Sequence, residues 1–313
     1  MWVCLAHRVC AHSHTHREPR RRLQLVSICS YATLLLVLTC FHNVARGDDP
    51  APPLCSCANC QCSTARTHQQ CTAGSSGFVV RSFVGGPAAA DVARQCELVC
   101  SQLRRDVFGL EAATRWQPKC NVVLHATRQG YANAVGRGAS QTVGSSAISI
   151  SGGRVSQRRI DLLVVNAEQG LSALPHELVH VLFVDAFPND PPPKWAEEGL
   201  ALTMDPADKR ARHARDLETV LRARSTIPLG RLLADVEYPA TSQRGAFYGQ
   251  SMSLVDYFLQ LDSPKEFVRY LKLSAELGQD RALQTVYGID RRELEQRWWQ
   301  QASGIQLAGV ETQ

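Results

Sequence analysis

The chain has 313 residues, 44% of them hydrophobic, with 34 basic and 29 acidic side chains and a formal net charge of +5. The positive excess sits in residues 1–47, which hold six arginines against one acidic residue, so the remainder is close to neutral. Neither nucleic acid nor an anionic membrane surface is therefore expected as a partner, since both call for a basic excess.

Arg17, Arg20, Arg21 and Arg22 precede the apolar stretch 23–41, and a small-residue site follows at Ala45-Arg46-Gly47. This is the pattern of a secretory signal peptide over residues 1–47, and it predicts an exported protein, periplasmic, extracellular or at the cell surface. The stretch is near the lower length limit of a membrane span, so a retained signal anchor is the alternative, and membrane contact is expected only in that case. Residues 48–77, rich in Pro, Cys, Ser and Thr, read as a linker or small disulfide module. Eight of the 12 cysteines follow residue 47, and an even number in an oxidising compartment favours disulfides. Cys55, Cys57, Cys60 and Cys62 are clustered there, with C-x-x-C spacing that also suits a thiolate metal or redox site. Cys96 and Cys100 lie one helical turn apart and Cys120 opens an apolar segment, so a bridge from helix to strand is expected. Its connectivity is open.

From residue 78 the pattern is globular. Strands are predicted at 78–84 and 121–125, a helix at 88–108, and two extended segments at 136–150 and 155–165 around the Gly152-Gly153 turn, the signature of a hairpin. Gly136, Gly138 and Gly144 lack the lysine of a phosphate loop and read as loop residues. From Ser172 onward the periodicity is helical. The expected fold class is α+β, a small N-terminal sheet lobe followed by a mainly helical C-terminal lobe, with 78–304 as one domain and 305–313 as a tail. Trp298 and Trp299 are expected to anchor the core.

The chemistry is concentrated in His176-Glu177-Leu178-Val179-His180. Residues four apart share a helix face, so both imidazoles can reach one tetrahedral cation while Glu177 sits beside an open position. Leu174, Leu178, Val181, Leu182 and Val184 suit a half-buried helix, Ser172 is the expected N-cap, and Pro175 falls in the first turn. A second helix from about Pro193 carries Trp195-Ala196-Glu197-Glu198-Gly199, and Glu197 and Glu198 both offer a further ligand. Asp185, one turn beyond His180, is either a surface carboxylate or a support for a ligand.

Together these two motifs resemble the gluzincin metallopeptidases, and the run from about residue 120 to 302 looks like the peptidase MA-like domains of exported bacterial proteins. Gly199-Leu200-Ala201, Tyr248-Gly249-Gln250-Ser251 before the helical run 252–261, and Tyr287-Gly288-Ile289 join that resemblance. It implies a zincin-like fold, one Zn2+ per chain, and Glu198 as third ligand beside His176 and His180. Glu177 would be the general base, and a tyrosine on a later helix the oxyanion donor. Tyr248 is the candidate for that donor, ahead of His213 and Arg244. The implied substrate is a peptide or protein, held along a sheet edge next to the active helix. No G-x-M-E-N segment occurs, so an endopeptidase is expected rather than an aminopeptidase, and Phe183 and Ala186 exclude the metzincin pattern. The alternative function is an exported zinc-binding or surface interaction protein on a peptidase-like scaffold without catalysis. Oligomeric state cannot be read from the sequence.

Overall fold

The aromatic and β-branched run 78–80 suits a strand, and Phe78–Ser82 forms one that is half-buried, with Phe78, Val80 and Ser82 turned inward and Arg81 outward. The computed structural model describes residues 61–62, 71–84, 89–111, 116–136, 141–164 and 171–308, so the expected signal peptide and residues 55–60 of the cysteine cluster lie outside it. Six strands, β1 (Gln61–Cys62), β2 (Cys71–Gly74), β3 (Phe78–Ser82), β4 (Cys120–His125), β5 (Gly144–Ser151) and β6 (Arg154–Leu163), form one sheet in the order β1-β2-β3-β4-β6-β5. The inner strands β3, β4 and β6 run parallel, while β2 and β5 pair antiparallel with their neighbours. The sheet thus starts before residue 78. The segment 48–77, expected to stand apart, contributes β1 and β2 to it, because Cys71 to Gly74 pair along β3.

The β5–β6 hairpin turns at Gly152 and Gly153, with φ of 58° and 72°. Two successive left-handed residues make a type I′ turn, whose twist matches the strands and which glycine adopts without strain. One face of the sheet is covered by α1 (Ala89–Asp106), which buries Val92, Cys96, Val99 and Leu103 at helical spacing. The other carries α2 (Arg128–Val135), whose Tyr131 packs on Leu163. Sequence periodicity did not predict α2. It is short, and its start is fixed by the Thr127 hydroxyl, which accepts from the Gly130 N–H at 3.0 Å.

The expected bridge from helix to strand is not formed. Cys96, Cys100 and Cys120 are buried free thiols between α1 and β4, and burial pushes Cys100 and Cys120 up to about 12. They act as small core hydrophobes. Cys71 is disulfide-bonded.

After residue 171 the described chain is helical: α3 (Leu174–Ala186), α4 (Lys194–Thr203), α5 (Ala207–Arg222), α6 (Leu229–Ala234), a 3₁₀ turn (Thr241–Gln243), α7 (Arg244–Leu261), α8 (Pro264–Leu277), α9 (Gln279–Tyr287) and α10 (Arg291–Ala308). A sheet followed by a mostly helical part is the α+β architecture read from the sequence. The last helix runs beyond residue 304 into the expected tail. Trp195 packs on Phe258 and Phe267, both at 5.9 Å, and Trp298 is buried with its indole N–H on the Ser253 hydroxyl at 3.2 Å. A contiguous cluster of buried residues runs from Phe78 in the sheet through α3 to Trp298. No helix among the described residues is long and apolar enough to cross a membrane.

Asp185 is neither a surface carboxylate nor a support for a ligand. It accepts from Arg104 of α1 at 3.0 Å, Arg158 of β6 at 2.7 Å and the Trp116 indole at 2.5 Å. Two guanidiniums from distant elements converge on it and tie α1, β6 and α3 together.

Candidate metal centre

Helix α3 is apolar on nearly every side, with Leu174, Leu178, Val179, Val181, Leu182 and Phe183 all buried. A helix of that composition sits inside the protein, and its few polar residues are held where the core permits. It begins one residue later than expected. The cap is Ala173, without a side-chain hydrogen bond, so Ser172 is not the N-cap, and Pro175 occupies the first turn. The chain enters α3 from a turn, with Leu174 N–H on Leu171 O at 3.0 Å, which removes the need for a hydroxyl cap.

Helix α4 crosses α7 closely at Gly199. A Cβ there would lie 2.4 Å from Ser251 O and 2.5 Å from Val255 Cγ2, so only glycine admits this packing. The close approach fixes the preceding residue, Glu198, over α3. Among the described residues, His176, His180 and Glu198 form a group of three potential metal ligands, with all ligand atoms within 4.8 Å of one another. The Nε2 atoms of the two histidines face each other at 3.3 Å, and Glu198 Oε1 lies 4.0 Å from His180 Nε2. A tetrahedral ion with Zn–N bonds of about 2.0–2.1 Å separates two nitrogen ligands by about 3.3–3.4 Å, so the imidazole spacing fits such an ion.

Both histidines are oriented from behind by carboxylates. His180 Nδ1 bonds Glu197 Oε1 at 2.9 Å, and Lys194 holds the other Glu197 oxygen at 2.6 Å. His176 Nδ1 lies 3.2 Å from Asp205 Oδ1, close but not well aligned for a hydrogen bond, and Lys209 grips Asp205 at 2.9 Å. A carboxylate on Nδ1 directs the Nε2 lone pair toward a metal. Burial opposes a charge on His180, but the Glu197 hydrogen bond and the fields of Glu198 and Glu177 outweigh it and hold its pKa at about 9. Burial likewise opposes charge on Glu197, yet its bond to His180 brings it down to about 2. The pocket's field favours positive charge.

Glu177, 6% exposed, lies against the start of β5: a Cβ on Gly144 would stand 2.6 Å from Glu177 Oε1. The start of the edge strand β5 and the Glu177 carboxylate therefore adjoin. Glu197 faces the ring nitrogen of His180 that points away from the site, which separates its role from that of Glu198. Tyr248 is not at the head of its helix but inside α7, half-buried, its ring 5.7 Å from His213 and 5.3 Å from Phe247. Burial, and then the charge of Glu198, raise its phenol, so it stands within electrostatic reach of the site. His213 leans on Asp216, Nδ1 to Oδ2 at 3.6 Å, and burial lowers its pKa. Arg244 starts α7, exposed.

Two contributors escaped sequence reasoning. Asp205 stands just past α4 in Met204-Asp205-Pro206, where its proximity to the ligand helix was the available signal. Tyr238 lies in the loop 235–240, and its hydroxyl donates to Glu198 Oε1. Nothing local marks it. No protein-family model, no curated protein and no solved structure matches this chain.

Proposed function

We propose that this protein is a zinc-dependent metallopeptidase of zincin-like architecture, cleaving peptide bonds within peptides or proteins outside the cytoplasm. The observation that carries the reading is the paired Nε2 atoms at 3.3 Å, completed by Glu198 and bordered by the buried Glu177. His176, His180 and Glu198 would hold one Zn2+. When bound, the ion supplies a Lewis acid for the scissile carbonyl and lowers the pKa of a water toward neutrality. Glu177 has no place among the ligands, and a purely structural zinc site has no use for it. As general base it accepts the proton of the attacking water and then delivers it to the leaving amine. β5 is the last strand of the described sheet, and an extended substrate would add to it beside Gly144 and hence beside Glu177. Tyr248 is the proposed donor to the oxyanion.

The test is cleavage of a diverse peptide library by the zinc-loaded protein beginning at Asp48, compared with Glu177→Gln by mass spectrometry. Cleavage is expected from the parent and a loss of at least 10²-fold from the variant, the scale of general-base catalysis. Equal silence from both, with zinc bound, would sink the peptidase reading and leave the noncatalytic zinc protein.

A further inference from the structure

The loop 235–240, between α6 and the 3₁₀ turn, puts one side chain on the metal site. Tyr238 is 44% exposed, yet its hydroxyl donates to Oε1 of Glu198, a residue only 6% exposed. That is the same carboxylate oxygen that lies 4.0 Å from His180 Nε2. The ring is held on two sides, by the Lys194 ammonium 5.5 Å from its centroid and by Phe247 at 6.0 Å. Lys194 in turn grips Glu197 at 2.6 Å, and Glu197 holds His180 Nδ1 at 2.9 Å. One loop residue therefore reaches two of the three proposed ligands, Glu198 directly and His180 through Lys194 and Glu197.

The chemistry of a carboxylate ligand gives this contact a purpose. A free carboxylate can rotate and chelate through both oxygens, which fills a coordination position that catalysis needs open. A hydroxyl donating to Oε1 restrains that rotation and leaves Oε1 a further lone pair for the ion. Resting on the proposed zinc reading, we infer that Tyr238 is a positioning residue: it holds Glu198 as a one-oxygen ligand and couples the seating of the loop 235–240 to metal retention. By linkage the coupling is reciprocal, so the metal steadies the loop as the loop steadies the metal.

The experiment compares parent, Tyr238→Phe and Val236→Ser. Phenylalanine keeps the ring contacts with Lys194 and Phe247 and deletes only the hydroxyl. Val236, 60% exposed on the same loop, controls for general disturbance of it. Zinc affinity is read by chelator competition, and the coordination number by the visible spectrum of the cobalt-substituted proteins. Tyr238→Phe is expected to bind zinc about 10–100-fold more weakly, the usual cost of losing a group that orients a ligand. Its cobalt bands are expected to weaken as Glu198 chelates through both oxygens, while Val236→Ser matches the parent in both readouts. Parent-like affinity and spectrum in Tyr238→Phe overturn this inference and leave the metal centre standing. A parent that binds neither ion overturns the zinc reading and this inference with it.

Discussion

Asp256 illustrates how one half-buried side chain sets a pH dependence away from the candidate metal site. It sits on α7 among core residues, and burial raises its carboxyl to about 6, with Arg210 pulling the other way. The folded chain therefore binds this proton more tightly than the unfolded chain, whose value is near 3.8. Its contribution to stability is present below that value and is lost as pH rises through about 6. Two units correspond to at most about 3 kcal/mol. Asp256→Asn should flatten the slope of urea-unfolding stability between pH 4 and 7 and raise stability at neutral pH; an unchanged slope would mean that the carboxylate is solvated in the folded state. At residue level, what spacing alone carries was legible: the helix repeat brings the His176 and His180 imidazoles together, and their Nε2 atoms meet at 3.3 Å. Sequence reading failed for Tyr238 and Asp205, because their contacts with Glu198 and His176 arise only when separate elements meet. It failed differently for Asp185, where a carboxylate at the end of α3 gave no hint of Arg104 and Arg158 arriving from α1 and β6.

At the scale of elements, the crossing of α4 and α7 decides where Glu198, the proposed third ligand, stands. Both helices are buried along the contact, and Gly199 is the point at which the backbones touch. A methyl group there meets Ser251 O at 2.4 Å, backbone that cannot turn aside, so Gly199→Ala must push the helices apart. Overpacking of this kind costs about 1–3 kcal/mol. The displacement falls on Glu198, so the variant should lose zinc affinity together with stability, measured by chelator competition and urea unfolding. Stability lost without any change in zinc affinity would show that Glu198 is held by something other than this crossing. Several elements were legible: the strands expected at 78–84 and 121–125 form as 78–82 and 120–125, the helix at 88–108 forms as 89–106, and the Gly152-Gly153 turn marks the hairpin. The free thiols were not. Even number and spacing suggested a bridge among Cys96, Cys100 and Cys120, but the local sequence carries nothing about how sulfur atoms face one another across a helix–sheet interface. Strands β1 and β2 were missed because their residues read as turn and cross-link composition, and their pairing with β3 supplies the order that their own propensity lacks.

For the molecule as a whole, the question is whether sheet and helical parts unfold together. The buried cluster passes without a break from Phe78 and Val122 through α3 to Phe258 and Trp298, and the two arginines on Asp185 lock the sheet and α1 to α3. Two lobes were expected from the change of periodicity near residue 172, and that change is real, but it divides secondary structure and not the core. A ligand that binds only the folded state stabilises everything that unfolds with it. Zinc at 100 times its dissociation constant should then add about 2.7 kcal/mol. In a domain of this size that raises the melting temperature by about 5–10 °C. Trp116 reports from the sheet side, and Trp195 and Trp298 report from the helical side. Far-UV circular dichroism and tryptophan fluorescence should therefore follow one transition, which moves down as a whole when a chelator removes the metal. Two transitions, of which only one responds to zinc, would mean that the contiguous core does not transmit the metal's stabilisation past α3, and that the sheet folds by itself.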